Sequence, residues 1–169
     1  MAAEYRDGRR ILRRTAARVV LIDPDSRTLL VQGCNPHNRA AGSWWFPLGG
    51  GCEAEETLEQ AARRELYEEA GIRDVELGPL IWTRSVEHPY MKDQYLYQEE
   101  FYFVGHTASP DFGRVAWTAE ERQQLMDMRW WSAEELRETQ ETILPPALPG
   151  LLPRLISGAY PDQPIALDR

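Results

Sequence analysis

Phe46-Pro47-Leu48-Gly49-Gly50-Gly51-Cys52-Glu53-Ala54-Glu55-Glu56-Thr57-Leu58-Glu59-Gln60-Ala61-Ala62-Arg63-Arg64-Glu65-Leu66-Tyr67-Glu68-Glu69-Ala70-Gly71-Ile72 reads as a glycine-rich turn that runs into a helix. Thr57, with Gln60 three residues on, has the T-x-x-Q form of a capping box and marks the helix start. Nothing breaks a helix before Ala70, and Gly71 stands where a C-terminal cap glycine belongs. At about 100° per residue, Leu58, Ala61, Ala62, Leu66, Glu65, Glu68 and Glu69 share one side. Glu59, Gln60, Arg63 and Tyr67 take the other.

The glutamates therefore lie on the side that must bury. Charged residues are mostly exposed, so an ordinary Glu-Glu pair belongs to a solvated face. Three like charges at i, i+3 and i+4 repel one another, and desolvating them unpaired is expensive. A bound divalent cation resolves both problems, because hard cations take carboxylate oxygens.

Gly50, Glu56 after five residues, and Arg64-Glu65-Leu66-Tyr67-Glu68-Glu69-Ala70-Gly71-Ile72 after seven more fill every fixed position of G-x5-E-x7-R-E-U-x-E-E-x-G-U, with U aliphatic. The stretch thus resembles the box of the Nudix (MutT-like) hydrolases. The flanking strand pattern and Trp130-Trp131-Ser132-Ala133-Glu134-Glu135-Leu136 extend the likeness over most of the chain. Two features depart from the usual pattern. Pro47 sits one position early with Leu48 before Gly49, and Ala54-Glu55-Glu56 replaces the usual Pro-Gly-Glu.

The resemblance implies an α/β (α+β) fold, an α/β/α sandwich around a mixed β-sheet. It implies a metal-dependent pyrophosphohydrolase that cleaves a phosphoanhydride in a nucleoside diphosphate linked to another moiety. Glu65, Glu68 and Glu69 would hold Mg2+ or Mn2+ with a backbone carbonyl at Gly49 or Gly50, and Glu68, Arg64 and Glu56 would serve catalysis. Family members place the general base differently, so Glu99, Glu100, Glu120 and Glu121 stand as candidates outside the box. Glu99 and Glu100 alternate across a strand, and only one of them can face the site. A Pro or Tyr some 15 to 18 residues past the box hints at ADP-ribose or dinucleoside polyphosphate substrates. Pro89 and Tyr90 are adjacent in that window, so the hint does not choose. The alternatives are a non-catalytic Nudix domain that senses a nucleotide or ADP-ribose, and isopentenyl-diphosphate isomerase. The intact glutamates weigh against the first. The settings of Cys34 and Cys52 weigh against the second.

Composition sets the outer bounds. At 169 residues, with 43% apolar and 27% charged residues, the chain suits one soluble domain spanning residues 1–169. No apolar run approaches the ~18 residues of a membrane span, the N-terminus lacks a signal-peptide core, and the two cysteines make no zinc or disulfide framework. A cytoplasmic location follows as the expectation. The net charge of -8 disfavours nucleic acid, whose binding rests on phosphate neutralisation. The expected partner is a small nucleoside diphosphate derivative, with a homodimer left open. Arginines at 6, 9, 10, 13, 14 and 18 read either as a solvated lead-in or as a patch facing phosphate.

Along the chain, residues 1–14 read as an irregular arm. Arg18–Ile22 and Thr28–Gln32 form a hairpin around Asp23-Pro24-Asp25-Ser26-Arg27, and residues 33–43 form a loop. Leu80–Arg84, Tyr95–Val104 and Arg129–Trp131 are strands, and residues 87–93 are a loop or hairpin end. Thr118 and Ser132 open short helices, a last helix lies within residues 147–157, and residues 158–169 are a loose tail. Six tryptophans, at 44, 45, 82, 117, 130 and 131, read mostly as core, with some available to stack on a base.

Overall fold

The computed structural model describes residues 4–35, 38–91, 93–113, 117, 119 and 121–168, with only the backbone of Pro89, Met91 and Glu121. In chain order it contains β1 (Tyr5–Arg6), β2 (Arg9–Ile22), β3 (Thr28–Cys34), a 3-10 turn (Arg39–Ala41), β4 (Ser43–Gly51), α1 (Leu58–Ala70), β5 (Val75–Met91) and β6 (Gln94–Thr107). Then come α2 (Glu121–Gln124), β7 (Leu125–Trp131), α3 (Ala133–Glu138), β8 (Thr142–Ile143), α4 (Leu148–Ile156) and β9 (Ile165–Leu167).

One mixed sheet runs β7-β3-β4-β2-β6-β5-β9, with β1 on β2 and β8 on β4. Its centre is the parallel pair β2–β6, in register from Arg10–Gln94 to Ile22–His106. Side chains alternate across a strand, so Ala17, Val19 and Leu21 of β2 face α1 through Ala61, Ala62, Leu66 and Ala70. Val20 and Ile22 face the other way, onto Leu136 of α3 and Leu148, Leu152 and Leu155 of α4. Helices cover both faces, as an α/β/α sandwich requires.

β4 decides where the site lies. Its first half, residues 43–47, pairs antiparallel with β3, and residues 48–51 pair antiparallel with β2. Because β2 and β3 are themselves antiparallel, a straight β4 could not oppose both. The strand turns near Gly49, whose φ of 134° is open to glycine and strained for other residues. The glycine run is therefore a bent strand as well as a turn. Leu48, the departure from the usual pattern, is fully buried against α1.

Several expectations change. The irregular arm of residues 1–14 is strand over Tyr5–Arg6 and from Arg9 onward, because β6 supplies partners to its backbone from Arg10. Arg6 and Arg13 stack over Tyr95 and Tyr97, an arginine–aromatic pairing that apolar alternation does not reveal. The tail is not loose throughout, since β9 pairs parallel with Trp82–Arg84. Of the two readings of residues 87–93, the hairpin end holds, with residues 87–91 continuing β5 to the turn into β6. β5 also begins before the expected Leu80 and runs through Gly78-Pro79, where the ladder shifts register between Leu77 and Leu80 and a bulge absorbs the missing proline donor. The hairpin at residues 23–27 pairs only Ile22 with Thr28, since β4 takes the rest of β3. The helix expected at Thr118 falls on a residue outside those described.

Both capping motifs form. Thr57 Oγ1 accepts from the Gln60 amide at 3.2 Å and Gln60 Oε1 accepts from the Thr57 amide at 2.8 Å. Ser132 and Glu135 repeat the arrangement on α3. Gly71 closes α1 in the left-handed region, at φ 70°. The helix in turn depends on Leu66, which is 1% exposed in one cluster with Ala17, Leu48 and Phe103. Leu66→Ala is expected to cost about 2–5 kcal/mol, read as a lower urea midpoint with an unchanged m-value.

Candidate active site

The burying face of α1 carries its carboxylates into a cradle made by β4. Glu65 and Glu69 are buried, while the Glu68 side chain keeps 38% exposure at the rim. Glu69 Oε2 accepts the Gly49 amide at 2.8 Å. Glu65 lies against Gly50, where an added Cβ would fall 2.6 Å from the Glu65 Cδ. A side chain at residue 50 would push the Glu65 carboxylate out of this position.

Arg64 organises the rest. It donates from Nε and Nη2 to the two oxygens of Glu56, each at 2.9 Å. Nη1 donates to Glu65 Oε1 at 2.8 Å and to Glu68 Oε2 at 2.9 Å, and Nη2 also reaches the Gly51 carbonyl at 2.9 Å. These bonds to anions hold the guanidinium firmly charged, with its pKa well above the ordinary value. Glu56 is fixed from its other side by the Glu53 amide at 3.0 Å. The Arg64 bond holds the Glu56 carboxyl below its usual range. Glu65 moves the opposite way. Burial pushes its pKa up, and Arg64 and Arg18 only partly oppose that.

With Glu65 and Glu68 turned to Arg64 and Glu69 to Gly49, no three acidic, histidine or cysteine side chains converge on one metal position among the described residues. The donor set still suits a hard cation. Buried carboxylate oxygens stand beside glycine backbone, and one arginine serves three of the four glutamates.

A second polar group lies on the other side of the sheet. Arg18 donates to the Gly49 carbonyl at 2.6 Å and to Glu100 Oε1 at 3.3 Å. Glu100 also accepts from the Tyr102 hydroxyl at 2.6 Å and from the Gln98 amide at 2.9 Å. Burial alone would raise the Glu100 pKa, but Arg18, Tyr102, Arg84 and Gln98 together hold it low. The Tyr102 phenol is pushed up, by burial and by Glu100. Arg18 and Glu100 line a cavity of about 780 Å³ with Trp44, Phe46, Arg84 and Tyr90.

Of the candidate bases, Glu100 is buried and saturated with donors, which makes it a poor proton acceptor. Glu99 is exposed. Glu120 and the Glu121 side chain lie outside the described residues. Trp45, Trp82, Trp117 and Trp131 are core, while Trp44 lines the cavity. The arginine cluster divides as well. Arg13 pairs with Glu4 in the open, whereas Arg14 and Arg18 line the cavity. Sequence reasoning singled out Glu100 only as a candidate base and missed Arg84, Gln98 and Tyr102 beside it. The available signal was alternation, since residues 98, 100 and 102 share one face of β6.

The architecture is thus an α/β/α sandwich in which a bent glycine strand packs on a carboxylate-bearing helix. A sequence model of the NUDIX domain matches residues 12–155. The chain belongs to the Nudix family. An RNA pyrophosphohydrolase of Bartonella bacilliformis is 30% identical over 115 residues, 68% of this chain and 55% of that protein. One from Caulobacter vibrioides is 49% identical over 59 residues, 35% of this chain and 33% of its own length. The matched region spans about half the length of the first of these relatives and a third of the second. A NUDIX-family hydrolase structure from Clostridium perfringens shares the fold at 20% identity and a TM-score of 0.60, covering 86% of this chain and 97% of that one.

The raised Glu65 pKa fixes a sign. A carboxyl whose folded pKa lies above its unfolded value costs stability once pH exceeds both. Glu65→Gln is therefore expected to raise the melting temperature of the cation-free protein at pH 7. That advantage should fade as pH falls toward 4.5, the ordinary value for this carboxyl.

Proposed function

We propose that this chain is a divalent-cation-dependent pyrophosphohydrolase acting on a nucleoside diphosphate linked to another moiety, working in the cytoplasm as one domain over residues 1–169. The observation that carries it is the burial of Glu65 and Glu69 against Gly49 and Gly50, with one arginine shared among Glu56, Glu65 and Glu68. So much negative charge in a desolvated cradle suits a cation and suits little else.

Glu65, Glu68 and Glu69 would hold Mg2+ or Mn2+, with the Gly50 carbonyl as a further oxygen. When bound, such a cation neutralises phosphate charge and acidifies water. The residues of this chain do the positioning. Arg64, which donates to both oxygens of Glu56, orients Glu65 and Glu68 from behind. Glu68, the most exposed of the three, suits the side from which water attacks. The adjoining cavity of about 780 Å³, with three arginines and aromatic walls, suits a nucleotide.

Both curated relatives described above are named as RNA pyrophosphohydrolases, which favours a 5′-phosphorylated RNA end as a second reading. The net charge of -8 favours a small molecule instead. A sensing role would not require every box glutamate. The isomerase alternative needs a reactive cysteine, and the Cys52 thiol is pushed up by burial and by Glu56, away from thiolate.

A panel of nucleotide sugars, dinucleoside polyphosphates, nucleoside triphosphates and triphosphorylated RNA separates these readings by product analysis. Hydrolysis is expected only with Mg2+ or Mn2+ and should stop on chelation. Glu69→Gln is expected to lose about 100-fold in kcat/KM while keeping its fold. Wild-type rates in that variant would sink the assignment.

A further inference from the structure

Arg84 of β5 lines the cavity that also exposes Trp44, Phe46 and Tyr90. Its side chain is only 9% exposed, and Nε has no hydrogen-bond partner among the described residues. Its ion pair, from Nη1 to Glu100 Oε2, spans 3.6 Å, longer than a hydrogen bond. Glu100 is meanwhile supplied by Tyr102, Gln98 and Arg18. A guanidinium carries five N–H donors, and leaving buried donors unmade is costly. The Nε is sealed from solvent, so any further acceptor for the accessible end of the guanidinium would come from whatever fills the cavity.

An arginine fork matches two adjacent acceptors, as on a carboxylate, a phosphate or the O6/N7 edge of guanine. A phosphate here would set its charge against Glu100, which already lies 3.6 Å from the same guanidinium. A base edge offers neutral acceptors, and Trp44 and Tyr90 line the cavity as aromatic partners on which a base could stack. The phosphates have their own place at the other end. Arg14 lines the cavity and also lies against Gly51, where an added Cβ would fall 2.7 Å from the Arg14 Cζ. Arg14 pairs across β2–β6 with Gln98, and Arg84 pairs across β5–β6 with Glu100. Two strand spacings and two residues set their backbones about 12 Å apart, room for a phosphate at one and a base at the other.

We propose that Arg84 reads the nucleobase and makes this cavity selective for guanine nucleotides. The inference rests on the reading of the cavity as the nucleotide site, and its test needs no turnover. Calorimetry on the cation-free full chain would compare GMP with AMP. The expected result is GMP bound at least about fivefold more tightly, the lower end of what a bidentate arginine–guanine pair contributes. Arg84→Met should bring GMP down to the AMP affinity. Arg84→Lys, which keeps charge and volume, should do the same because it loses the fork, and it decides the matter if the methionine variant does not fold. Trp44→Ala should weaken both nucleotides while leaving their ratio intact. Equal affinities in the wild type would overturn the proposal. So would an Arg84→Lys that keeps the preference, or an Arg84→Met that weakens GMP and AMP alike, since the last marks a phosphate contact. Loss or survival of hydrolysis in Glu69→Gln bears on the catalytic reading alone.

Discussion

Arg64 stands between a helix and its own electrostatics. Four carboxylates, from Glu56, Glu65, Glu68 and Glu69, crowd one end of the bent strand, and Arg64 binds three of them directly. Coulomb repulsion among partly desolvated charges would otherwise favour an outward rotation of α1. The guanidinium counters part of that charge and ties it to the Gly51 carbonyl. The remaining negative excess is what a cation would meet. The same bonds hold the carboxylates close to their working positions, so little order has to be created when a ligand arrives.

Gly49 extends that constraint through the sheet. Its amide is given to Glu69 on the α1 side and its carbonyl to Arg18 on the other. Arg18 then leads to Glu100, and Glu100 to Tyr102, Gln98 and Arg84 in the cavity. One residue without a side chain thus links the carboxylate cradle to the cavity through its two backbone groups. The bend in β4 is what makes this geometry available, because the glycine run must serve β2 while residues 43–47 still serve β3.

Local chemistry was legible in the sequence, and long-range pairing was not. The capping boxes at Thr57 and Ser132, the cap glycine at Gly71 and the last helix all appear as expected, because each is specified within a few residues. The burial of Glu65 and Glu69 was likewise readable from helical spacing alone. The polar beginning of β2 was not readable, since its partners lie some 85 residues away in β6 and its contacts are arginine–tyrosine pairs. The run through Gly78-Pro79 hid its continuity for a related reason, because a bulge tolerates what a regular ladder forbids. Arg84 looked like the polar end of a short strand. Its significance comes from what surrounds it, namely a carboxylate already satisfied by others and an aromatic cavity with acceptors still to be supplied.

The strand Ile165–Leu167 has a protective consequence. β5 is the outermost long strand, and an uncovered run of its backbone donors and acceptors would be a template for a neighbouring molecule. By lying along Trp82–Arg84, these three residues block that ladder beside the cavity wall. The chain thereby guards its own edge against strand-to-strand association and keeps the stretch that carries Arg84 out of any such contact.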